Sequence, residues 1–316
     1  MPRLNYKILV TYPREITMLA LIVACTLAIP SFGDASNVKN LLGQAAPLLL
    51  LAIGQTFVLL IRAIDLTQGV MVGVSSVVLF VLFKDIGPVG AVGVVLLGSS
   101  ALGAVSGALV AKARLDPLIG TLAGMYILTG ILMFRTGGSP LTETPAISGD
   151  FLIWLGTSSV GFVPVSFIVA CSLAVMAHIY LRHFVFGLHI YAMGSNPTAA
   201  IAQGINRILV FAVAYGICGL FTGGAAILLT ARIHQGNPHL GEGLLFESIG
   251  SAVMGGVLLS GGIGGVWAAV RGVAIFALIQ NALYLTDLNS HVRDVVLGVM
   301  IIVGVVIKAE RPGDSA

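Results

Sequence analysis

Asp65 is the only carboxylate near the middle of the first half of the chain, and it stands between two apolar runs. A charge at membrane depth is costly and usually marks function. Asp65 can cap the helix that starts at Leu66, pair with Arg62, or meet a polar solute; a structural role is favoured because Asp suits a helix N-cap so well. Amides and hydroxyls recur nearby: Gln44, Gln55 and Thr56 in one apolar run, Thr67 and Gln68 in the next, Gln280 and Asn281 far downstream. At membrane depth such groups must find partners, and hydrogen bonds between helices satisfy most of them. A neutral polyol needs the same chemistry, so Gln55, Asp65, Thr67, Gln68, Gln280 and Asn281 are the candidates to line a polar path.

Other reactive types form no constellation. The histidines at 178, 183, 189, 234, 239 and 291 have no metal-ligand spacing, since His178 and His183 are five apart and do not share a helix face. Cys25, Cys171 and Cys218 each lie inside an apolar run and read as small buried hydrophobes rather than a disulfide framework. No serine sits in a nucleophile-elbow context. "SGGIGG" at Ser260–Gly265 lacks a following Lys-Ser/Thr and a preceding strand, so it reads as a tight turn rather than a phosphate loop. The chain therefore carries no ATPase of its own, no metal site and no catalytic residue.

The elements that hold these residues follow from composition. Of 316 residues 57% are hydrophobic and 9% charged, more apolar surface than a soluble core absorbs. The net charge of +3 is too small to suggest nucleic acid. Ten apolar segments stand out, at roughly 16–30, 40–61, 66–83, 88–111, 117–134, 163–181, 208–230, 245–259, 262–285 and 291–307. The expected fold is an all-α integral membrane protein of about ten transmembrane helices in a single domain over 1–316. Several segments fall short of a full span, as the broken helices of transporters do. The N-terminus is basic but has no cleavage site, so a retained first helix is expected.

Sidedness follows from Lys and Arg. With the N-terminus inside, the cytoplasm receives Arg3, Lys7, Arg14, Arg62, Lys112, Arg114, Arg182, Arg207, Lys308 and Arg311, and the exterior receives Lys39, Lys84, Arg135, Arg232 and Arg293. Arg271 lies within a span. Ten against five predicts both termini in the cytoplasm, 182–207 as the longest interior loop and 135–162 as the longest exterior one. Phe151 to Leu155, with Trp154, reads as a short interfacial helix of that exterior loop. Spans 2–5 and 7–10 look like an inverted pair, because "GAVGVVLLGSSALGAVSGALVAKARLDP" and "GGVWAAVRGVAIFALIQNALYLTD" are small-residue helices that would run in opposite directions. Glycines in the spans read as sites of close helix packing.

The interior loop holds "YAMGSNPTAAIAQGINR", Tyr191 to Arg207. Ser195 or Asn196 can cap a helix there, Pro197 suits its first turn, and Gly204 can stop it. About two turns remain, too few to stand alone in water.

Four stretches together resemble the permease subunit of bacterial ABC importers of the ribose/monosaccharide type. "RAIDLTQGVMVG" (62–73) is similar to that family's G-G-I-D-L-S-V-G signature, keeping Ile64, Asp65, Leu66 and Gly69. "LDPLIGTLAGMYILTGI" with "TGGSPL" resembles its P-x-x-x-x-T-L-G segment and exterior G-G-x-P loop. "YAMGSNPTAAIAQGI" resembles G-x-N-x-x-A-A-x-x-x-G-I, and "ARIHQGNPHLGEG…SAVMGGVLLSGGIGG" the R…P…G-x-G and G-G-x-x-L-x-G-G-x-G pattern. The departures are Arg62 and Ala63 for the double glycine before Ile64, Gln68 for a small or apolar residue, Leu245 where Glu is frequent, with Glu247 close by, and Arg293 for Gln.

The resemblance implies a dimer of permease subunits, identical or homologous, in the bacterial inner membrane, with a solute path at their interface. It implies two separate cytoplasmic ATP-binding subunits that use ATP and magnesium, a periplasmic solute-binding protein, and no cofactor on this chain. Gly194, Ser195, Asn196, Ala199, Ala200, Ile201, Gly204 and Ile205 would form the ATPase-coupling element, with Ala199, Ala200 and Ile201 as a small apolar face. Arg135, Arg232, Glu247 and Arg293 would dock the binding protein. Two other classes remain: a stand-alone ion-coupled secondary transporter, and an intramembrane enzyme, for which no catalytic pair is found.

Overall fold

A computed structural model describes residues 13–142, 150–286 and 289–309. Arg3, Lys7 and Arg311 of the charge count, and 143–149 of the exterior loop, lie outside the described residues. The chain is built from helices α1 (Pro13–Ala28), α2 (Ala35–Leu60), α3 (Thr67–Lys112), α4 (Pro117–Thr136), α5 (Asp150–Thr157), α6 (Val165–His183), α7 (Val185–Ser195), α8 (Pro197–Ala202), α9 (Arg207–Ile233), α10 (Leu244–Gly255), α11 (Val266–Tyr284) and α12 (Ser290–Ala309). A two-residue hairpin, β1 (Ser159–Val160) against β2 (Val163–Pro164), joins α5 to α6. Among the described residues six helices are long and apolar enough to cross a membrane: α2, α3, α4, α6, α9 and α11.

Each apolar segment read from the sequence falls on a helix, and the differences lie at the ends. The segments 66–83 and 88–111 are the two arms of α3, separated at Gly87 (φ 72°, ψ 174°) just before Pro88. A left-handed φ followed by a residue that cannot donate breaks the hydrogen-bond ladder there. The segment 245–259 is helical only to Gly255, because Gly256 takes φ 117° and ends α10. Phe151 to Leu155, where a short helix is expected, falls in α5, with Phe151, Ile153 and Trp154 exposed.

Helix α2 is the centre of the molecule, buried without a break from Ala45 to Leu60. A helix that is apolar all round is buried all round, and α6, α9, α10 and α11 all pack on it. Helix α4 is peripheral, and its Ile119, Tyr126, Ile127, Ile131 and Phe134 stay exposed. Such a surface suits lipid, not water.

The largest packed interface is α9 on α3. Along the second arm of α3, Ser99, Gly103 and Gly107 recur every four residues and meet Tyr215, Gly219 and Gly223 of α9. A Cβ on Gly103 would strike the Tyr215 carbonyl oxygen, and one on Gly219 the Ser99 carbonyl oxygen. Backbone touches backbone here, the arrangement that small residues permit in a bilayer.

Between α9 and α10 the chain does not return as a helix. Asn237 N donates to Ser76 Oγ at 3.1 Å, which also accepts from Thr230 Oγ1 at 2.8 Å. A Cβ on Gly73 would collide with the Pro238 carbonyl oxygen, and one on Gly69 would come within 3.3 Å of that of Gly241. Residues 237–241 thus run along the first arm of α3 from Ser76 back toward its start, over a strip of small residues. The small residues of α3 leave the room that this close approach of backbone needs.

Candidate functional site

The helix break at 61–66 gathers the polar residues of the first half. Asp65 is fully buried, and its Oδ1 accepts from Thr67 N at 2.9 Å and Thr67 Oγ1 at 2.6 Å. The carboxylate thus closes a local turn just before α3; the helix starts at Thr67 with Leu66 as its N-cap, one residue later than the cap read from the sequence. No pairing with Arg62 forms, because Arg62 points the other way. Asp65 Oδ2 and Gln55 Nε2 are buried and have no hydrogen-bond partner. Gln68 Nε2 donates to the Leu51 carbonyl at 2.9 Å, and Gln68 Oε1 accepts from Ser248 Oγ at 2.7 Å. The Cys218 sulfur lies 3.5 Å from Gln68 Nε2. Tyr215 Oη and Thr121 Oγ1 both donate to the Ile64 carbonyl at 3.2 Å, which holds the break from α9 and α4.

Gln55, Asp65, Thr67 and Gln68 therefore share one buried cluster, while Gln280 and Asn281 lie elsewhere. Gln280 Nε2 donates to Glu247 Oε1 at 3.3 Å. Asn281 exchanges two amide hydrogen bonds with Asn37, at 2.8 and 2.9 Å, which lock α11 to α2. Sequence reasoning missed Tyr215, Cys218, Thr121 and Ser248. Tyr215, Cys218 and Thr121 are lone polar residues in apolar runs and Ser248 stands beside Glu247, none with a spacing signal; only the fold brings them to the break.

A second cluster surrounds the α7–α8 corner. Asn196 Oδ1 accepts from Ala199 N at 3.0 Å and caps α8, Pro197 opens it, and Gly204 (φ 85°) follows it. Arg62 Nε donates to the Gly194 carbonyl at 2.5 Å, and its Nη2 to that of Ser195 at 2.7 Å. These are terminal carbonyls of α7, where a cation is favourable. Gly262 N donates to the Leu60 carbonyl at 2.9 Å, and Tyr191 Oη to that of Gly264 at 2.8 Å. Gly194 has no spare room: a Cβ there would run into the Leu60 carbonyl oxygen and Gly262 N. The "SGGIGG" stretch is the tight turn expected, with Gly261, Gly262 and Gly264 at φ 79°, 72° and 124°. Three distant passages of chain, at 60–62, 191–195 and 261–264, meet at this corner.

One residue of α8 is not where the small apolar face needs it. Ala200 is buried, 4% exposed, whereas Ala199, Ile201 and Ala202 face outward. At about 100° per residue a three-residue run cannot share one face, so Ala200 packs on the subunit and the outward face is Ala199, Ile201 and Ala202. Ile205 is half-buried and packs on the core.

The four exterior candidates sit on four different helices. Arg135 is exposed in the last turn of α4. Arg232, at the end of α9, lines a recess of about 230 Å³ with Lys39, Asn40, Ser158 and Ser166. Glu247 is half-buried on α10 and accepts from Gln280. Arg293 lies 4.5 Å over the Tyr284 ring, a cation–π contact. His239 joins two loops that sequence reasoning left separate: its Nδ1 bonds to Glu242 Oε1, and its Nε2 lies 3.0 Å from the Gly138 carbonyl. The Glu242 carboxylate, and then the Gly138 carbonyl, push the His239 pKa up. No three His, Cys, Asp or Glu come together among the described residues.

A family profile described as "Branched-chain amino acid transport system / permease component" matches residues 37–305. The chain is similar to the ribose import permease protein RbsC of Escherichia coli K12, 31% identical over 94% of this chain and 92% of the relative. It is similar to RbsC of Bacillus subtilis 168, 32% identical over 92% and 90%. The galactose/methyl galactoside import permease protein MglC of Escherichia coli K12 is 29% identical over 96% and 97%. No solved structure matches the chain.

Proposed function

The chain belongs to the permease-component family of branched-chain amino acid transport systems, and we propose that it is the membrane subunit of an ATP-driven importer for a monosaccharide or related polar solute. The relatives named for ribose and galactose import align almost end to end, which supports the solute class. The subunit acts by alternating access and performs no covalent chemistry; ATP and magnesium are used on separate cytoplasmic subunits. Each permease pairs with a second, identical or homologous copy in the bacterial inner membrane, and a periplasmic protein delivers the solute.

The α7–α8 corner carries this reading. A six-residue helix is too short to be stable alone, yet here its base is fixed by hydrogen bonds while Ala199, Ile201 and Ala202 are left facing outward. A rigidly mounted, small apolar knob suits the groove of a partner that pushes on it. Arg62 joins this corner, and Lys39 and Arg232 share one recess, two groupings that support the sidedness proposed from Lys and Arg. With the corner in the cytoplasm, both termini are cytoplasmic, and the ten apolar segments make ten passages, each arm of α3 counting as one, with spans 2–5 and 7–10 as an inverted repeat. The buried cluster then supplies solute contacts: Asp65 Oδ2 accepts and Gln55 Nε2 donates, as polyol hydroxyls require.

Co-expression with the ATPase and binding protein encoded beside it, reconstitution, and uptake of labelled ribose and galactose test the proposal. Uptake that requires ATP inside and binding protein outside is expected. Ion-driven uptake by this chain alone overturns it in favour of a secondary transporter.

A further inference from the structure

We propose that Arg62 is a positioning residue that carries movement of the α7–α8 corner directly to the buried Asp65 cluster; this rests on the coupling role proposed above. The side chain donates to two successive carbonyls at the end of α7, at 2.5 and 2.7 Å, across more than 130 residues of sequence. Its own backbone has φ 63°, a left-handed conformation that a side-chain-bearing residue adopts at a cost. The double glycine of the resembling signature would enter that conformation freely, but would have no donor to send to α7. Two charge-assisted hydrogen bonds offset the backbone cost and add a connection that glycine cannot make.

What lies beyond Arg62 makes the connection consequential. Ala63 and Ile61 are buried, the Ile64 carbonyl is held by Tyr215 and Thr121, and Asp65 closes its turn on Thr67. The three-residue step from Arg62 to Asp65 therefore has little slack. A shift of the Gly194 and Ser195 carbonyls pulls the guanidinium, and the guanidinium pulls the turn that carries Asp65, Thr67 and Gln68. The neighbouring contacts, Gly262 N to Leu60 O and Tyr191 Oη to Gly264 O, tie the corner to other passages. Among the described residues, only Arg62 is both a side-chain tether to α7 and part of the 61–66 turn.

Hydrogen–deuterium exchange on the assembled importer, with and without Mg-ATP and vanadate, tests this without knowledge of the solute. In the wild type, nucleotide trapping is expected to change protection both in 185–205 and in 61–68. In Arg62→Gly, which suits the left-handed backbone, the response in 185–205 persists while that in 61–68 falls about tenfold, the scale of one charge-assisted hydrogen bond. Arg62→Lys, with one point charge for a two-pronged donor, recovers only part of it. Tyr191→Phe, which severs the Gly264 contact alone, keeps the 61–68 response and shows that loosening the corner is not sufficient. An Arg62→Gly importer in which both segments still respond as in the wild type overturns the proposal. Absence of any response in the wild-type 185–205 segment is a different failure, that of the coupling role itself. Matched protection without nucleotide shows that the variants are folded.

Discussion

Ser248 donates a hydrogen bond to the Gln68 side-chain carbonyl at 2.7 Å, joining α10 to the start of α3 across 180 residues. Gln68 also donates to the Leu51 carbonyl, so one amide ties three helices.

Gln68→Leu removes both bonds in a buried setting and is expected to cost about 1–3 kcal/mol. Ser248→Ala costs about 1 kcal/mol, because the single hydroxyl proton shared between Gln68 Oε1 and the Leu245 carbonyl is lost while Gln68 keeps its bond to Leu51. Thermal unfolding in detergent should rank wild type above Ser248→Ala above Gln68→Leu. Equal midpoints for Gln68→Leu and wild type would contradict the tie.

Two glycines of α3 should respond differently to the same change. A Cβ on Gly107 would stand 2.8 Å from the Tyr215 Cβ and would also press on the Phe211 carbonyl, whereas Gly98 has nothing within 4 Å. Gly107→Ala is expected to destabilise by about 1–3 kcal/mol through overpacking. Gly98→Ala stays within about 1 kcal/mol of wild type, with helix propensity on its side. The same melting measurement checks both, and similar losses at the two sites would refute the packing of α9 on α3.

The outward face of α8 predicts a separation of effects. Ile201→Glu places a charge on the docking surface and should weaken ATPase co-purification or uncouple ATP hydrolysis from uptake, with the melting temperature unchanged. Ala200→Arg drives a long side chain into the subunit and should lower the melting temperature first. An Ile201→Glu importer with normal coupling would remove α8 from the proposed contact.

His239 predicts a pH-dependent loop contact. Its pKa is raised by Glu242 and the Gly138 carbonyl, so the charged form is favoured in the folded state. The stabilisation is therefore complete below the ordinary value of about 6.5 and is lost as pH rises through the higher folded value. Nitrogen-15 NMR of histidine-labelled protein should place the His239 midpoint above about 6.5, and Glu242→Gln should move it back toward that value. A wild-type midpoint at or below 6.5 would show that the bond does not form in solution.

Much of this architecture is legible in the residues before any coordinates. The apolar runs locate the helices, and Asn196, Pro197 and Gly204 delimit α8. These features depend on neighbours within a few residues, where backbone preference and hydropathy decide. The direction of Ala200 depends on which side of α8 meets the subunit, and so does not follow from the motif. Likewise nothing local to Arg62 points to Gly194, because the pairing exists only once α2 and α7 are brought together. The path of 237–241 along Gly69, Gly73 and Ser76 is similar: the glycines announce close approach but not what approaches.

The seam between α3 and α9 has a mechanical consequence. Helices joined by interleaved long side chains can absorb a small displacement by changing rotamers. At Ser99, Gly103 and Gly107 against Tyr215, Gly219 and Gly223 the main chains themselves are in contact, and there is little to give. Helix α9 begins five residues after α8 ends and runs for 27 residues, about 40 Å at 1.5 Å per residue, to Ile233. It is a rod bonded along one side, so a tilt imposed at one end must arrive at the other.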